Sequence, residues 1–145
     1  MKKIIWFDMD GTIANLYAVE NWLNYLINEN PYPYAAAKTM LNFSVFARYL
    51  NAAQKNGWKI GIISWGSKKS SSEYLLKVEK AKKNWLMEHL PSVNWNYIKV
   101  VPYGTNKFSV CGGGILFDDE ENNRIIWGKN AYSPDMIIDI LKQLK

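Results

Sequence analysis

The sequence predicts an α/β protein, a three-layer α/β/α fold with a parallel central sheet covered by helices on both faces. Short, continuous apolar runs alternate along the chain with segments of helical periodicity. Such apolar runs are typical of strands buried on both faces, and their alternation with helices favours parallel pairing. Two of the runs end in a pair of aspartates, at the strand ends where open parallel sheets bind their ligands.

The N-terminal part of the chain is predicted to contain two strands and three helices. The prolines of PYPY at 31–34 should end the first helix, and Asn56-Gly57 is a typical helix stop. The predicted elements are, in order, a strand at 3–8, helices at 16–29, 35–41 and about 44–55, and a strand at 58–64.

The C-terminal part is predicted to add a long helix, two more strands and a final helix. Serines before Glu73 offer an N-cap for the long helix, and Pro134 suits the first position of the last one. The predicted elements are a helix at 70–90, strands at 97–101 and 114–119, and a helix from Ser133 to the C-terminus.

Length and composition are those of one globular domain. The chain has 145 residues, of which 48% are hydrophobic and 21% charged. One cysteine, Cys111, excludes an internal disulfide, and one histidine, His89, argues against a histidine-based metal site or a Ser-His-Asp triad. We therefore expect a single domain over 1–145 whose chemistry depends on other residue types.

Charge and hydropathy restrict the expected partners. The net charge is +5, but the densest basic stretch, 77–83, is interrupted by Glu79 and is typical of a solvated helix face, so we do not expect nucleic-acid binding. MKKIIW resembles the start of a signal peptide, yet Asp8 interrupts the apolar run too early. No apolar run reaches 18 residues. We expect a soluble, cytoplasmic protein with no membrane partner; the oligomeric state stays open.

The acidic pairs predict a metal site. Asp8 and Asp10 are two residues apart, so an extended backbone directs them to the same side. Asp118 and Asp119 close another strand at the same edge of the sheet. Converging carboxylates repel one another unless a hard cation joins them, and Mg²⁺ best suits oxygen ligands.

A calcium-binding EF-hand loop also contains a D-x-D-G pattern. Aligning Gly11 with the loop glycine puts Trp6 at the first ligand position and Tyr17 at the bidentate glutamate position. Neither side chain can bind calcium there, so the pattern does not fit an EF-hand. Gly11 instead permits a sharp turn after the strand.

The motifs resemble those of the haloacid dehalogenase superfamily. FDMDGT at 7–12 resembles its first motif, D-x-D-G-T, and GIIS provides Ser64 as the serine that ends the next core strand. YGTNKFSV provides Lys107 for the third motif, and ILFDD provides Asp118 and Asp119 for the fourth. All four occur in the family's order and cover nearly the whole chain, which implies a Rossmann-like fold of this superfamily.

The resemblance implies catalytic roles for the first acidic pair. Asp8 corresponds to the nucleophile, which attacks phosphorus and becomes an aspartyl-phosphate. Asp10 corresponds to the general acid and base, and its backbone carbonyl would also bind the metal. Because the dehalogenases lack this second aspartate and the metal, the resemblance implies hydrolysis of a phosphate ester. A phosphomutase would keep the same pair and stays open.

The resemblance also implies binding roles. Ser64 would donate a hydrogen bond to a phosphoryl oxygen, and Lys107 would offset the charge of the phosphate and nucleophile. Asp119 corresponds to the direct metal ligand, with Asp118 behind it or as an alternate ligand. Asn123 falls where some relatives carry a further polar group outside the metal ligands.

The insertion at 13–42 resembles the cap that covers small substrates in this superfamily. The segment KKNWL at 82–86, with Lys107 and ILFDD, resembles the 5′(3′)-deoxyribonucleotidase branch, where a lysine matching Lys82 contacts the substrate phosphate. The alternative for Lys82 is a solvated lysine on the helix face. The cap is shorter than is typical of that branch. Its aromatic residues either stack on a base or pack as core; they are Tyr17, Trp22, Tyr25, Tyr32 and Tyr34.

The sequence therefore predicts a Mg²⁺-dependent phosphomonoester hydrolase that acts through an aspartyl-phosphate on a small phosphorylated metabolite, such as a (deoxy)nucleoside monophosphate. One alternative is a phosphatase that acts on nucleic-acid ends through the same site with an open approach. The other is a non-catalytic module that binds a phosphoryl group.

Overall fold

A computed structural model describes residues 1–144, which form seven strands and seven α-helices. The strands are β1 (Ile4–Phe7), β2 (Ala14–Asn15), β3 (Lys38–Thr39), β4 (Lys59–Trp65), β5 (Tyr97–Val101), β6 (Ile115–Phe117) and β7 (Ala131–Tyr132). The helices are α1 (Trp22–Ile27), α2 (Tyr32–Ala36), α3 (Phe43–Lys55), α4 (Ser72–His89), α5 (Lys107–Cys111), α6 (Glu121–Trp127) and α7 (Ile137–Leu144). Short 3₁₀ turns precede α1 and α7, at Leu16–Ala18 and Pro134–Met136.

The central sheet has five strands in the order β5-β4-β1-β6-β7, and every neighbouring pair is parallel. The predicted α/β fold class is therefore confirmed. Because β1 lies in the middle, between β4 and β6, the three strands that precede the predicted site residues are direct neighbours. Their carboxyl ends meet at one edge of the sheet.

Both faces of the sheet are covered, as the apolar character of β1 predicts. Ile5 and Phe7 pack on one face with apolar residues of α3, α7 and the end of α4. Ile4 and Trp6 point to the other face, where residues of α5 and α6 cover them. This alternation follows from the two-residue period of a strand. The layer of α3 and α7 holds most of the core.

Residues 13–42 form the small insertion that the sequence predicts. Its two ends are joined by the antiparallel pair β2–β3, in which Ala14 faces Thr39 and Asn15 faces Lys38. Between these strands lie α1 and α2, and α2 packs against α4. The insertion thus begins directly after the first acidic pair and stands beside the carboxyl end of β1.

Within the insertion, the predicted boundaries of both helices are wrong. The helix expected at 16–29 is interrupted at Asn21, whose φ of 60° is left-handed, and only Trp22–Ile27 continues as α1. The helix expected at 35–41 begins earlier, at Tyr32, and ends at Ala36. Pro33 lies in its first turn, where a missing N–H costs nothing, so PYPY starts a helix, and α1 already ends at Ile27, before these prolines.

Three short elements of the C-terminal part were not predicted: α5, α6 and β7. They have five, seven and two residues, too few to show a helical or strand period. The predicted ends of the longer helices are confirmed. Asn56 and Gly57 stop α3, and the side chain of Ser71 caps α4 by accepting a hydrogen bond from the Tyr74 amide at 3.1 Å. Among residues 1–144, no helix is both long and apolar enough to cross a bilayer.

Candidate active site

The predicted site residues meet at the carboxyl edge of the sheet. Asp8 directly follows β1, and Asp118 directly follows β6. Ser64 is the second-last residue of β4. Since these three strands are neighbours, their ends bring the side chains together without help from distant loops. Lys107, the first residue of α5, and Lys82, in the middle of α4, complete the cluster.

Lys107 joins the two acidic pairs. Its Nζ lies 2.9 Å from Asp8 Oδ1 and 2.7 Å from Asp118 Oδ2, and its side chain is only 3% exposed. Burial by itself would lower the pKa of Lys107, but the Asp8 and Asp118 carboxylates outweigh it and raise that pKa. The lysine is therefore a permanent cation beside the nucleophile candidate. Asn106 caps α5 by accepting from the Ser109 amide at 3.1 Å and so sets the position of Lys107.

Asp118 has hydrogen bonds at both carboxylate oxygens. Oδ2 accepts from Lys107 and, at 3.1 Å, from the Asn123 amide, while Oδ1 accepts from the Glu120 backbone N–H at 2.9 Å. Burial, and then the Asp8 charge, raise the pKa of Asp118 to about 6. The side chain is completely buried. Asp118 therefore holds Lys107 in place behind the site.

Thr12 links Asp8 to Asp119. Its hydroxyl donates to Asp8 Oδ2 at 3.0 Å and accepts from the Asp119 backbone N–H at 3.1 Å. Gly11, just before it, has a left-handed φ of 80°, and a Cβ at this position would overlap the Asp119 carboxylate. The ends of β1 and β6 therefore approach so closely that only a glycine fits at position 11, and Thr12 bridges the aspartates that follow the two strands.

Asp8, Asp118 and Asp119 form a possible metal site. Each offers one carboxylate oxygen, and these oxygens lie within 4.8 Å of one another. Burial, and then the charge of Asp8, raise the pKa of Asp119 to about 8, so this carboxylate lacks a compensating cation. The donor set consists of hard oxygens only, which fits a divalent cation such as Mg²⁺. Asp119 is half-buried and lines the cavity, whereas Asp118 does not.

Asp10 stands apart from this group and pairs with Lys82. Lys82 Nζ donates to Asp10 Oδ2 at 2.9 Å, to Ser64 Oγ at 2.5 Å and to the Trp65 carbonyl at 2.8 Å. Burial raises the pKa of Asp10, Lys82 opposes this, and the charge of Asp8 adds to the rise. Lys82 is 1% exposed. The alternative that Lys82 is a solvated lysine on the helix face is therefore wrong.

A cavity of about 300 Å³ opens above Asp8, Asp10 and Asp119. Apolar residues of the insertion form one wall, and these are Leu16, Tyr17, Trp22, Leu23, Leu26 and Ile27. Trp65 and Tyr103 stand on another side, with ring centroids 4.8 Å apart. The volume suits a single small molecule whose charged end lies among the carboxylates and whose body meets apolar and aromatic side chains.

The aromatic residues of the insertion divide between the cavity and the remaining surface. Tyr17, Trp22 and Tyr34 line the cavity, and the rings of Tyr17 and Trp22 meet edge to face at 5.0 Å. Tyr25 and Tyr32 instead contact each other, at 5.1 Å, away from the cavity. Sequence reasoning missed Trp65 and Tyr103. For Trp65 a signal existed, because it immediately follows Ser64 at the strand end.

All seven predicted site residues lie in this one cluster, and Asn123 joins it through Asp118. No protein-family model matches the chain, and no curated protein matches it. The chemistry of the site is therefore inferred from the geometry of these side chains. The four aspartates, when ionised, exceed the two lysine ammonium groups by two charges, and a divalent cation would balance this excess.

Proposed function

We propose that the protein is a Mg²⁺-dependent phosphomonoester hydrolase that forms an aspartyl-phosphate on Asp8. The observation that carries the proposal is the separation of two aspartates that reach the same cavity. Asp8 is held by Lys107 and Thr12, next to the candidate metal site, whereas Asp10 is held by Lys82. Two carboxylates in different surroundings suit two different chemical roles.

In the first step, an oxygen of Asp8 attacks phosphorus while the bond from phosphorus to the leaving oxygen breaks. Asp10 gives its proton to that leaving oxygen, so that a neutral alcohol departs. Burial favours the protonated form of Asp10 because it raises the pKa of this group. The charge of Lys107, 2.9 Å from Asp8, stabilises the negative charge that gathers around the phosphoryl group.

In the second step, the ionised Asp10 takes a proton from a water molecule, whose oxygen attacks phosphorus. The bond between Asp8 and phosphorus breaks, and inorganic phosphate leaves with Asp8 restored. Asp10 thus acts first as an acid and then as a base. Its position next to the cavity, within the charge field of Lys82, suits both states.

The metal would be held by Asp8, Asp119 and the backbone carbonyl of Asp10, with Asp118 supporting from behind. When bound, it supplies Lewis-acid stabilisation of the phosphoryl charge. A module that only binds phosphate would need no proton donor, so the paired Asp8 and Asp10 favour an enzyme. A phosphomutase would also need to bind a second phosphorylated group. The cavity of about 300 Å³ favours one small ester.

Small phosphomonoesters are expected to be cleaved with higher catalytic efficiency than a 5′- or 3′-phosphorylated oligonucleotide. The wall made by α1 and the volume of the cavity suit one nucleotide or a similar ester and leave little room for a polymer. Phosphate release would be measured with Mg²⁺ for nucleoside monophosphates, sugar phosphates and oligonucleotides. We expect nucleoside monophosphates to exceed sugar phosphates, because their bases can contact the apolar and aromatic walls.

All substrates should be compared at one moderate salt concentration, since the net charge of +5 attracts oligonucleotides non-specifically. A higher efficiency on the oligonucleotide would favour the alternative of a nucleic-acid end phosphatase. Phosphate binding without release from any ester would favour the binding module instead.

Asp10→Asn is expected to lower kcat by about two to four orders of magnitude, the usual contribution of a general acid. The amide oxygen can still accept from Lys82, so the fold and KM should change little. The measurement is steady-state phosphate release. Asp139→Asn, an exposed aspartate in α7, is the matched control and should be close to wild type. Near-normal turnover of Asp10→Asn would mean that another group protonates the leaving oxygen.

A further inference from the structure

Lys82 is a buried cation on the apolar face of a helix. Four buried side chains follow one another along α4 at spacings of four, four and three residues: Tyr74, Val78, Lys82 and Trp85. This is the helical period of a core-facing stripe, and a lysine in such a stripe costs free energy unless its charge is paired. At 1% exposure, the ammonium group depends on the protein for its partners.

The three N–H groups of Lys82 are all used by protein acceptors. They point to Asp10 Oδ2, Ser64 Oγ and the Trp65 carbonyl, at 2.9, 2.5 and 2.8 Å. An ammonium group has three protons and no more. The ring of Tyr34 covers the group, with its centroid 4.9 Å from Nζ. Lys82 therefore has no proton left for a phosphoryl oxygen.

Lys107 differs from Lys82 in its hydrogen bonds and in its position relative to the cavity. Lys107 donates to Asp8 and Asp118, which leaves one of its three protons, and it lines the cavity. Lys82 does not line the cavity. The two lysines therefore have different surroundings. Lys107 faces the cavity in which a phosphate would lie, whereas Lys82 faces the carboxylate of Asp10.

We propose that Lys82 is a positioning residue that acts through Asp10 and does not bind the substrate phosphate. This role rests on the proposed phosphohydrolase function. By holding Asp10 Oδ2, Lys82 leaves Oδ1 as the oxygen that carries the proton to the leaving group. After that proton is given up, the ammonium at 2.9 Å stabilises the carboxylate that remains beside the newly formed aspartyl-phosphate.

The insertion takes part in this arrangement through Tyr34. Tyr34 belongs to α2 and is 4% exposed, packed with Leu16, Tyr74 and Val78. One turn further along α4, the Trp85 indole N–H donates to the Ala37 carbonyl at the end of α2, at 2.8 Å. The same face of α4 therefore holds both the insertion and the ammonium group, and Tyr34 keeps water from competing for Lys82.

The test compares two esters of similar size whose leaving groups differ in their need for a proton. The leaving group of benzyl phosphate is an unstable alkoxide unless its oxygen is protonated. The leaving group of 4-nitrophenyl phosphate is a phenolate that is stable without a proton. Lys82→Met should lower kcat/KM for benzyl phosphate by about 10²-fold or more, and for 4-nitrophenyl phosphate by less than about 10-fold, because kcat/KM reports only the steps up to the loss of the alcohol and not the later attack of water. The inhibition constant of inorganic phosphate should change little, because the phosphate keeps its own contacts.

Three controls separate this role from a structural one. Lys80→Met, an exposed lysine on the same helix, should behave as wild type with both esters. In the background of Asp10→Asn, Lys82→Met should cost little further activity on benzyl phosphate, since residues that act as a unit are not additive. If Lys82→Met does not fold, Lys82→Gln is measured in the same way, because the glutamine amide can still donate hydrogen bonds but carries no charge.

The outcomes are distinct. An equal loss of kcat/KM for both esters, or a rise in the inhibition constant of inorganic phosphate, would show that Lys82 binds the phosphate and would overturn the proposal. A further loss in the double variant as large as in the single one would overturn it too. If the wild-type protein releases phosphate with Mg²⁺ neither from these two esters nor from nucleoside monophosphates, the proposed function fails together with this role. A selective loss for benzyl phosphate that disappears in the Asp10→Asn background supports the role.

Discussion

Asp8→Asn is expected to abolish phosphomonoester hydrolysis while leaving the protein folded. An amide cannot form the bond to phosphorus that the carboxylate forms, so the loss in kcat should be at least about 10⁴-fold. The amide oxygen can still accept one hydrogen bond from Lys107 or Thr12, the two partners of Asp8. Phosphate release is measured with Mg²⁺ and the best ester from the substrate panel.

A trapping experiment tests the covalent role of Asp8 directly. With wild-type protein, acid quenching during turnover should give a mass increase of one phosphoryl group on the peptide that contains Asp8. Asp8→Asn should show no such increase, and Asp139→Asn should keep both the activity and the labelled peptide. Wild-type rates in Asp8→Asn would mean that water attacks the ester directly, and the nucleophile assignment would then be wrong.

Removal of divalent cations is expected to eliminate activity, and Mg²⁺ should restore it. Asp8, Asp118 and Asp119 bring their oxygens within 4.8 Å, Asp8 and Asp118 share the single lysine Lys107, and Asp119 has no lysine partner. A phosphate dianion would add to this repulsion unless a cation were present. Activity is measured after EDTA treatment and again after titration with Mg²⁺.

Thermal unfolding provides a second readout that does not depend on turnover. A cation that binds only the folded state stabilises it by about 2.7 kcal/mol at a concentration 100 times its Kd. Mg²⁺ should therefore raise the unfolding temperature of the wild-type protein. Asp119→Asn should lose most of this increase, whereas Asp139→Asn should keep it. Full turnover in metal-free buffer would contradict the metal-dependent mechanism.

The position of the candidate active site could be predicted from the sequence because strand ends carry strong signals. Apolar runs before Asp8 and before Asp118 indicate strands that are buried on both faces, and parallel strands bring their carboxyl ends to one edge. The long elements α3, α4 and β5 could be predicted for a similar reason, since their periods or apolar runs extend over enough residues. The short elements α5, α6 and β7 could not, because they are too brief for any period to appear.

The sequence by itself determined the composition of the site: which carboxylates follow which strands, and that a glycine and a threonine come directly after the first pair. Only the tertiary structure decided which partner each of these side chains contacts. Asp118 faces Lys107 and Asp119 faces the cavity, although the two are neighbours in the chain. In the sequence, Lys82 resembles the other lysines of a basic helix, and its inward direction depends on how α4 packs against the sheet. The physical reason is that spacing along the chain sets which face of an element a residue occupies, whereas the partners on that face depend on how the elements pack.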